Sequence, residues 1–525
     1  MSKVQHQTEA LPDRARMARE IELKLEFAPR DVRRILRHSI LAAAKALPHR
    51  GGHLHAVYYD TPDHALEKAG LSLRVRQERG RSVQTIKAEH KSHSLALDRA
   101  EWECLVESDA FDPAAAAGTP LARFLSDPAT RDRITPLFTV DTDRHAFLIE
   151  RDSSQIEVAI DTAKATAADR AERFGEVELE LKGGEPGTLF ALARELAETI
   201  PLRLSLMTKS ERAYALLEKS ALKPARAERI HLPQHQTSAE AFQIVARSCL
   251  AQAIRNDAVL RKTGDPEVLH QLRVGLRRLR AVTSIFKGLL RDKGSRACCA
   301  ELRWMAKRLN RARDMDVLLD NLHRSHAPRS DVRTIEAHRQ KAYDALFRTL
   351  AKGRFESSFL ELASWIETGA WLTRDKRKAR AARLERVEER IARDLSRRWK
   401  RIRKGITRLD ALDFDERHKL RIRIKTLRYG SEFAIDLFDA PEIRRKRKAF
   451  LAQLEAMQDA LGEMNDQAVA GILAPKLKSA PKETKQRQHK LLGKATAAGG
   501  ELLKSGPFWL PMPRGADLSR LKKAV

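Results

Sequence analysis

The residues best suited to chemistry stand in short alternating runs near the start of the chain. Glu20-Ile21-Glu22-Leu23-Lys24 puts two carboxylates and an ammonium on one face of a strand, with aliphatic side chains on the other. Glu176-Val177-Glu178-Leu179-Glu180 repeats the arrangement with three carboxylates, and Asp161 ends a third run that starts at Ile156. The same half holds a basic set: Lys24, Arg74, Arg76, Lys87, Arg99, Arg144 and Lys209. Grouped carboxylates suit a hard divalent ion such as Mg²⁺ or Mn²⁺, which takes oxygen ligands. Arginine and lysine suit phosphate oxygens. One charged strand face is ordinarily a solvated face. Several strands with both signs on one face suggest more: if their sheet closes on itself, the charges turn inward and form a tunnel that could take a triphosphate.

The second half carries its chemistry on helices. His270, Arg273, Arg277 and Arg280 recur 148 residues later as His418, Arg421, Lys425 and Arg428. At about 100° per residue each set spans roughly 80° of helix surface. Leu272, Leu276 and Leu279 lie opposite the first set, and Leu420, Ile424 and Leu427 opposite the second. Exposed helix faces usually mix signs at i,i+4, because stacked like charges cost stability. Two matched basic stripes therefore indicate a polyanion site. Leu309-Asn310 and Arg313-Asp314 are also echoed, 152 residues on, by Leu461-Gly462 and Asn465-Asp466. A duplicated helical unit about a pseudo-twofold axis is expected. His270 and His418 are candidates for phosphate contact, with hydrogen-bonded core histidines or metal ligands as alternatives.

The elements that must hold these residues follow from periodicity. Period-2 runs continue to about residue 218, interrupted by helical stretches near 30–47 and 186–199. From Ser238 the period is 3.6, through Ala-, Leu- and Arg-rich segments. At 525 residues, two or three domains are expected. The boundaries predicted are a tail at 1–16, a strand-rich domain at 17–218, a Pro-containing linker at 219–236, a helical domain at 237–510 and a tail at 511–525. The net charge of +29 is divided unevenly. Residues 1–218 hold 32 Lys and Arg against 35 Asp and Glu, whereas 219–525 hold 68 against 36. A field so one-sided attracts nucleic acid, anionic membrane or polyphosphate.

No stretch nears the roughly 20 apolar residues of a membrane span, and Met1–Arg19 lacks an apolar signal core, so a cytoplasmic protein is expected. The four cysteines show neither zinc spacing nor a disulfide framework.

Glu20-Ile21-Glu22-Leu23-Lys24 resembles the ExExK signature of the CYTH family, the triphosphate tunnel metalloenzymes. The likeness continues in order through Tyr58-Tyr59-Asp60-Thr61-Pro62, Leu71–Arg76, Ile86-Lys87, Pro136–Phe138, Gln155–Asp161, Glu176–Glu180 and Lys209–Tyr214. It implies a closed antiparallel β-barrel and metal-dependent attack on a triphosphate. Metal binding carries over to Glu20, Glu22, Glu178 and Glu180, with Glu176 and Asp161 as further candidates. Glu20, Glu22 and Lys24 would be catalytic, and the seven bases named above would grip phosphates. Family members act on inorganic triphosphate, thiamine triphosphate, RNA 5′-triphosphate ends, or ATP in cyclisation.

The helical pattern resembles the CHAD domain in both copies, His270–Arg280 with Arg313–Val317 and His418–Tyr429. The copies differ at Asn310 against Gly462 and at Ala281 against Tyr429. This resemblance implies polyphosphate held along a basic central channel by the two stripes, and association with polyphosphate granules. The pairing of the two domains favours inorganic triphosphate as substrate. The fold class expected is α+β and multidomain, a barrel followed by an all-α duplicated bundle. A granule-tethering scaffold without turnover is the competing class. A nucleic-acid binder is disfavoured by 5% aromatic content and by the lack of an RNP-like, zinc-finger or basic-zipper signature.

Overall fold

The computed structural model describes residues 16–89, 95–217, 223–473 and 485–510. The side chains of 16–20, 89, 97–98, 467–473 and 485–487 lie outside the described residues, as do the two terminal tails apart from Arg16. The chain divides into two compact units, Met1–Lys223 with Glu356–Ser364, and Pro224–Phe355 with Trp365–Val525. Among the described residues no helix is long and apolar enough to cross a membrane.

The first unit is built on β1 (Arg16–Phe27), β2 (Lys45–Ala46), β3 (Gly52–Asp60), β4 (Leu71–Glu78), β5 (Arg81–Glu89), β6 (Leu97–Val106), β7 (Thr135–Arg151), β8 (Ser154–Ala167), β9 (Arg170–Gly183) and β10 (Arg203–Ser205). They form one antiparallel sheet ordered β10-β1-β6-β5-β4-β3-β7-β8-β9, with β2 on β7 and an additional β1–β9 pairing. Two-residue turns set the register of the long hairpins. Arg79-Gly80 joins β4 to β5 and Asp152-Ser153 joins β7 to β8, all four residues at positive φ. That geometry matches the right-handed twist of the flanking strands.

Seven helices accompany the sheet: α1 (Val32–Leu36), α2 (Ser39–Ala42), α3 (Ala65–Lys68), α4 (Ala122–Leu125), α5 (Pro128–Arg131), α6 (Gly187–Thr199) and α7 (Lys209–Leu217). The single helix expected over 30–47 is instead two short ones. His38 turns extended at the break (ψ 138°) and caps α2 by accepting from Ile40 N at 3.3 Å.

Alternation along the strands separates two environments. Leu23, Leu25, Val177 and Leu179 are fully buried on one face. Leu71, Leu73, Val75 and Ile86 pack with Leu66 of α3 and with Leu121. On the charged face, small residues take over toward one end: Ala163, Ala165 and Ala167 cluster with Tyr58, Phe138 and Phe174, and α7 adds Ala213 and Tyr214. The Tyr214 hydroxyl donates to the fully buried Asp60 at 2.8 Å. Asp60 also accepts from the backbone of Thr61, Leu66 and Glu67 at 2.7–3.0 Å, which fastens the start of α3 to the end of β3.

The helices that follow are α8 (Ser238–Thr263), α9 (Pro266–Ile285), α10 (Lys293–Arg324), α11 (Arg329–Leu350), α12 (Arg354–Thr368), α13 (Arg377–Leu384), α14 (Val387–Ile406), α15 (Phe414–Phe433), α16 (Pro441–Leu473) and α17 (Lys485–Ser505). α8 starts where the period changes: Thr237 and Glu240 form a reciprocal capping box. α9 and α15 are both 20 residues long, α10 and α16 are 32 and 33, and α11 and α17 are 22 and 21. Ser238 N donates to Glu385 O at 2.8 Å and Val387 N to Gln236 O at 3.0 Å. These two bonds exchange partners under one constant offset in sequence, as a local twofold requires. Leu272, Leu276 and Leu279 of α9 and Leu420, Ile424 and Leu427 of α15 are buried. Gly275 allows α9 to approach α8: a Cβ there would stand 3.0 Å from Cys249 O.

Asp60→Ala should destabilise the first unit by about 2–4 kcal/mol, since it strands buried donors that share one carboxylate. Urea unfolding followed by far-UV circular dichroism measures this; an unchanged midpoint would show that the Asp60 bonds are replaced by water.

Candidate functional site

In the first unit the charged faces of the strands line a cavity of about 140 Å³. Among the described residues nine bases line it: Lys24, Arg50, Arg74, Arg76, Lys87, Arg99, Arg144, Lys182 and Lys209. Six acids face them: Glu22, Glu101, Glu103, Glu157, Glu178 and Glu180. Strand register brings these together. Lys24 on β1 lies opposite Glu178 on β9, Arg144 on β7 opposite Asp161 on β8, and Lys87 on β5 opposite Glu101 on β6.

The densest part is a cluster of three carboxylates, Asp161, Glu176 and Glu178, whose ligand oxygens lie within 4.8 Å of one another. Asp161 and Glu176 are fully buried. Three cations serve them. Lys209 Nζ, at the start of α7, stands 2.6 Å from Glu176, 2.6 Å from Glu178 and 2.9 Å from Asp161. Arg144 grips both oxygens of Asp161 at 2.8 and 2.6 Å and donates to Glu178 at 2.6 Å. Lys24 donates to Glu22 at 2.7 Å and to Glu178.

Burial alone would push the Glu178 carboxyl up, but Lys209, Lys24 and Arg144 outweigh it and hold it well below the usual range. Asp161 is likewise lowered against its burial, by Arg144 and Lys209. Burial would lower Lys24 and Lys209, yet the carboxylates raise both. All these groups are therefore charged at neutral pH.

The residues expected from the sequence fall as follows. Glu22 pairs with Lys24 at 2.7 Å and with Arg99 at 3.1 Å; Glu180 pairs with Lys182 at 2.6 Å. Asp161 and Glu176, named only as further metal candidates, form the tight cluster with Glu178. The Glu20 side chain lies outside the described residues. Arg74, Arg76, Lys87 and Arg99 all line the cavity. Glu101, Glu103 and Glu157 were not anticipated. Their signal was available: Glu101 and Glu103 continue the period of Arg99 along β6, and Glu157 that of Asp161 along β8. Arg50, in a turn, carries no such signal. Tyr58 joins the lining from the apolar end.

In the second unit the two basic stripes lie on α9 and α15 and converge. Arg277 Nε donates to Tyr429 Oη at 2.9 Å, joining the copies through the residue at which they differ. His418 Nδ1 and Asn465 Oδ1 are 2.6 Å apart, and Arg421 stands 3.9 Å from Asp466. Arg428 meets Gln458 and Glu432, each at 3.1 Å. Arg280 is exposed, at the edge of the group.

Like charges crowd this site. Burial, with Arg313, Arg277 and Arg273, pushes the His270 imidazole down to about 4. Burial lowers Arg273 to about 10 despite Asp314. Lys425 is lowered to about 7 by burial and by Arg277 and Arg421, and has no carboxylate within ion-pair distance among the described residues.

Comparison with known proteins adds family and relatives. A CYTH domain model matches residues 18–214 and a CHAD domain model matches residues 244–474. An inorganic triphosphatase from Haemophilus influenzae is 33% identical over 207 residues, 39% of this chain and 57% of that protein. The chain thus spans little more than half the length of this curated relative. Among solved structures, the CHAD domain from the plant Ricinus communis is 26% identical, covering 57% of this chain and 96% of its own, with a TM-score of 0.41. PptA from Streptomyces chartreusis is 17% identical, covering 51% of this chain and 96% of its own, with a TM-score of 0.32.

Lys425 gives a pH dependence with a definite sign. Its pKa is lower folded than unfolded (about 10.4), so its penalty on folding is largest below about pH 7 and fades toward pH 10. The second unit should gain stability as pH rises across that window. Lys425→Met should raise its thermal midpoint by several degrees at pH 7 and flatten the rise. Calorimetry of the two proteins at several pH values decides; a midpoint that falls in the variant would mean that Lys425 is stabilised where it lies.

Proposed function

From the premise that this chain carries a CYTH domain followed by a CHAD domain, we propose that it hydrolyses inorganic triphosphate to pyrophosphate and phosphate in the first and binds long-chain polyphosphate in the second. The observation that carries the first part is the cavity itself, with more bases than acids around a small polar space. A linear phosphate chain is small, apolar nowhere and strongly anionic, and that lining suits it. We take the domains as 17–218 and 237–510, joined by the linker 219–236.

We also infer that the sheet wraps into a closed barrel with the charges inside. This is supported by the pairings of β1, which meets β6 through Arg16–Glu22 and β10 through Lys24–Glu26, and also meets β9 through Glu22–Phe27.

The donors present fit a hard divalent cation. Asp161, Glu176 and Glu178 converge, and Glu176 Oε1 is buried without a hydrogen-bond partner. These three would hold Mg²⁺ or Mn²⁺, with Glu20, Glu22 and Glu180 as further ligands. The ion when bound supplies neutralising charge and lowers the pKa of an attacking water. The chain's own bases do the rest. Lys24, Lys209 and Arg144 are bound to carboxylates and can exchange them for phosphate oxygens as substrate enters. Arg74, Arg76, Lys87 and Arg99 line the path along which the chain would lie. Fixed cations in a water-poor site stabilise charge that develops on the leaving phosphate.

Polyphosphate binding by the helical unit is supported by the convergence of His270, Arg273, Arg277, Arg421 and Lys425, with His418 and Arg428 on the same stripe of α15. Arg421 Nε is buried without a partner, as a site awaiting an anion would be.

Purified protein should release phosphate from triphosphate with Mg²⁺ or Mn²⁺ and stop in excess chelator. Pyrophosphate, ATP and thiamine triphosphate serve as the comparison panel. Glu178→Gln should cut kcat about a hundredfold, the equivalent of roughly 2.7 kcal/mol of barrier; turnover unaffected by chelator or by this change would remove the metal reading.

Arg273→Glu with Arg277→Glu should weaken polyphosphate binding strongly and leave triphosphate turnover unchanged. Calorimetric titration at fixed salt checks this, since affinity for any polyanion falls as salt rises. Equal affinity of the unaltered protein for duplex DNA would favour a nucleic-acid ligand instead.

A further inference from the structure

One lining cation is held differently from the others. Among the described residues, Lys24, Arg50, Arg76, Lys87, Arg99, Arg144, Lys182 and Lys209 each have a carboxylate within 4.0 Å. Arg74 has none, and its Nε is buried without a hydrogen-bond partner. What stands across from it is Tyr58, its direct partner in the β3–β4 register, and both line the cavity.

Tyr58 is itself unusually well fixed. Its ring stacks on Phe138 with centroids 4.9 Å apart, and Phe138 meets Tyr214 edge-on at 4.8 Å. Tyr214 is tied to the buried Asp60 at 2.8 Å. A continuous rigid path therefore runs from the start of α3 to the Tyr58 hydroxyl. Tyr58 is only 5% exposed, so its polar tip has one place to go, the cavity.

The two side chains sense each other electrostatically. Burial would lower the Arg74 guanidinium, but Tyr58, Glu101 and Glu103 raise it. Burial would raise the Tyr58 phenol, but Arg74, Lys209 and Lys87 lower it.

The distinction matters for binding. A cation already paired with a carboxylate must break that pair before it can serve a phosphate. Arg74 has no such pair to break among the described residues, so its full charge and its two-pronged donor geometry are available at first contact. A long side chain without an ion pair would ordinarily retain its rotamer freedom, and binding would then have to restrict it. A fixed hydroxyl beside the guanidinium removes that requirement.

We propose that Tyr58 is a positioning residue that holds Arg74 as a preset phosphate receptor, and that it sets affinity for the phosphate chain rather than the rate of its cleavage. The proposal rests on the reading of the cavity as a triphosphate site. Because the apolar cluster occupies the end of the charged face next to Tyr58, Arg74 serves the phosphate that reaches that end.

Tyr58→Phe tests it, since the ring stack survives and only the hydroxyl is lost. Two readouts are needed on the full-length chain: steady-state kinetics with triphosphate and Mg²⁺, and calorimetric binding of triphosphate in chelator. Tyr58→Phe should raise both KM and the metal-free Kd by about fivefold to tenfold, the effect of one ordinary hydrogen bond, with kcat within about twofold. In an Arg74→Ala background, adding Tyr58→Phe should change neither constant. Unchanged KM and Kd in Tyr58→Phe, a fall confined to kcat, or effects that add in the double variant would each overturn the proposal. If the unaltered protein neither binds nor cleaves triphosphate, the reading of the cavity itself fails and takes the proposal with it.

Discussion

Burying a carboxylate is expensive unless a cation is buried with it, and the first unit is organised around that constraint. Asp161, Glu176 and Glu178 sit together on one face of the sheet, where like charges would repel and desolvation would drive protonation. Lys24, Lys209 and Arg144 pair with them, and the carboxyls of Asp161 and Glu178 are held low in consequence. Each cation comes from a different element: β1, the start of α7 and β7. The cluster thus requires the strand register and the docking of α7 together. A slip of one residue in β9 would turn Glu176 and Glu178 outward and bring Val177 and Leu179 in among the cations.

The two units solve the problem of concentrated charge in opposite ways. In the first, acids and bases interleave, and all but one of the described lining cations is paired. In the second, cations face cations across α9 and α15, and burial together with Arg277 and Arg421 lowers the proton affinity of Lys425. Paired charges make a cluster whose members satisfy one another. Crowded like charges, with Lys425 lacking a carboxylate among the described residues, make a group that is costly to hold together. Stability given up locally for readiness to bind is a common feature of functional sites.

Apolar neighbours decide where the charged side chains can act. Tyr58, Phe138 and Tyr214 fill one end of the charged face and leave the rest to water and ligand. The same aromatic group links Asp60, whose role is to cap α3, to Arg74, whose setting is the cavity. The Tyr-Tyr-Asp-Thr-Pro segment therefore serves both packing and the site. In the helical unit, Tyr429 does comparable work by bonding Arg277 from the other copy.

Much of this was determined by the sequence alone. Period-2 runs such as Glu20–Lys24 and Glu176–Glu180 specify strands with a charged face, because alternate side chains on a strand must point to opposite sides. The stripes at His270–Arg280 and His418–Arg428, backed by leucines, specify paired helices for the equivalent reason at a period of 3.6. Local periodicity cannot say which faces meet. That Asp161 joins Glu176 and Glu178 depends on the register of β8 on β9, and that Lys24 reaches Glu178 depends on the pairing of β1 with the distant β9; that Arg74 alone among the described lining cations lacks an acid likewise depends on which strand faces meet. The break at His38 within an expected helix and the entry of Arg50 from a turn were likewise decided by local geometry that no period encodes. Tertiary structure settled these points because ion pairing acts over a few ångströms in space, and only folding brings residues 24, 144, 178 and 209 within that range.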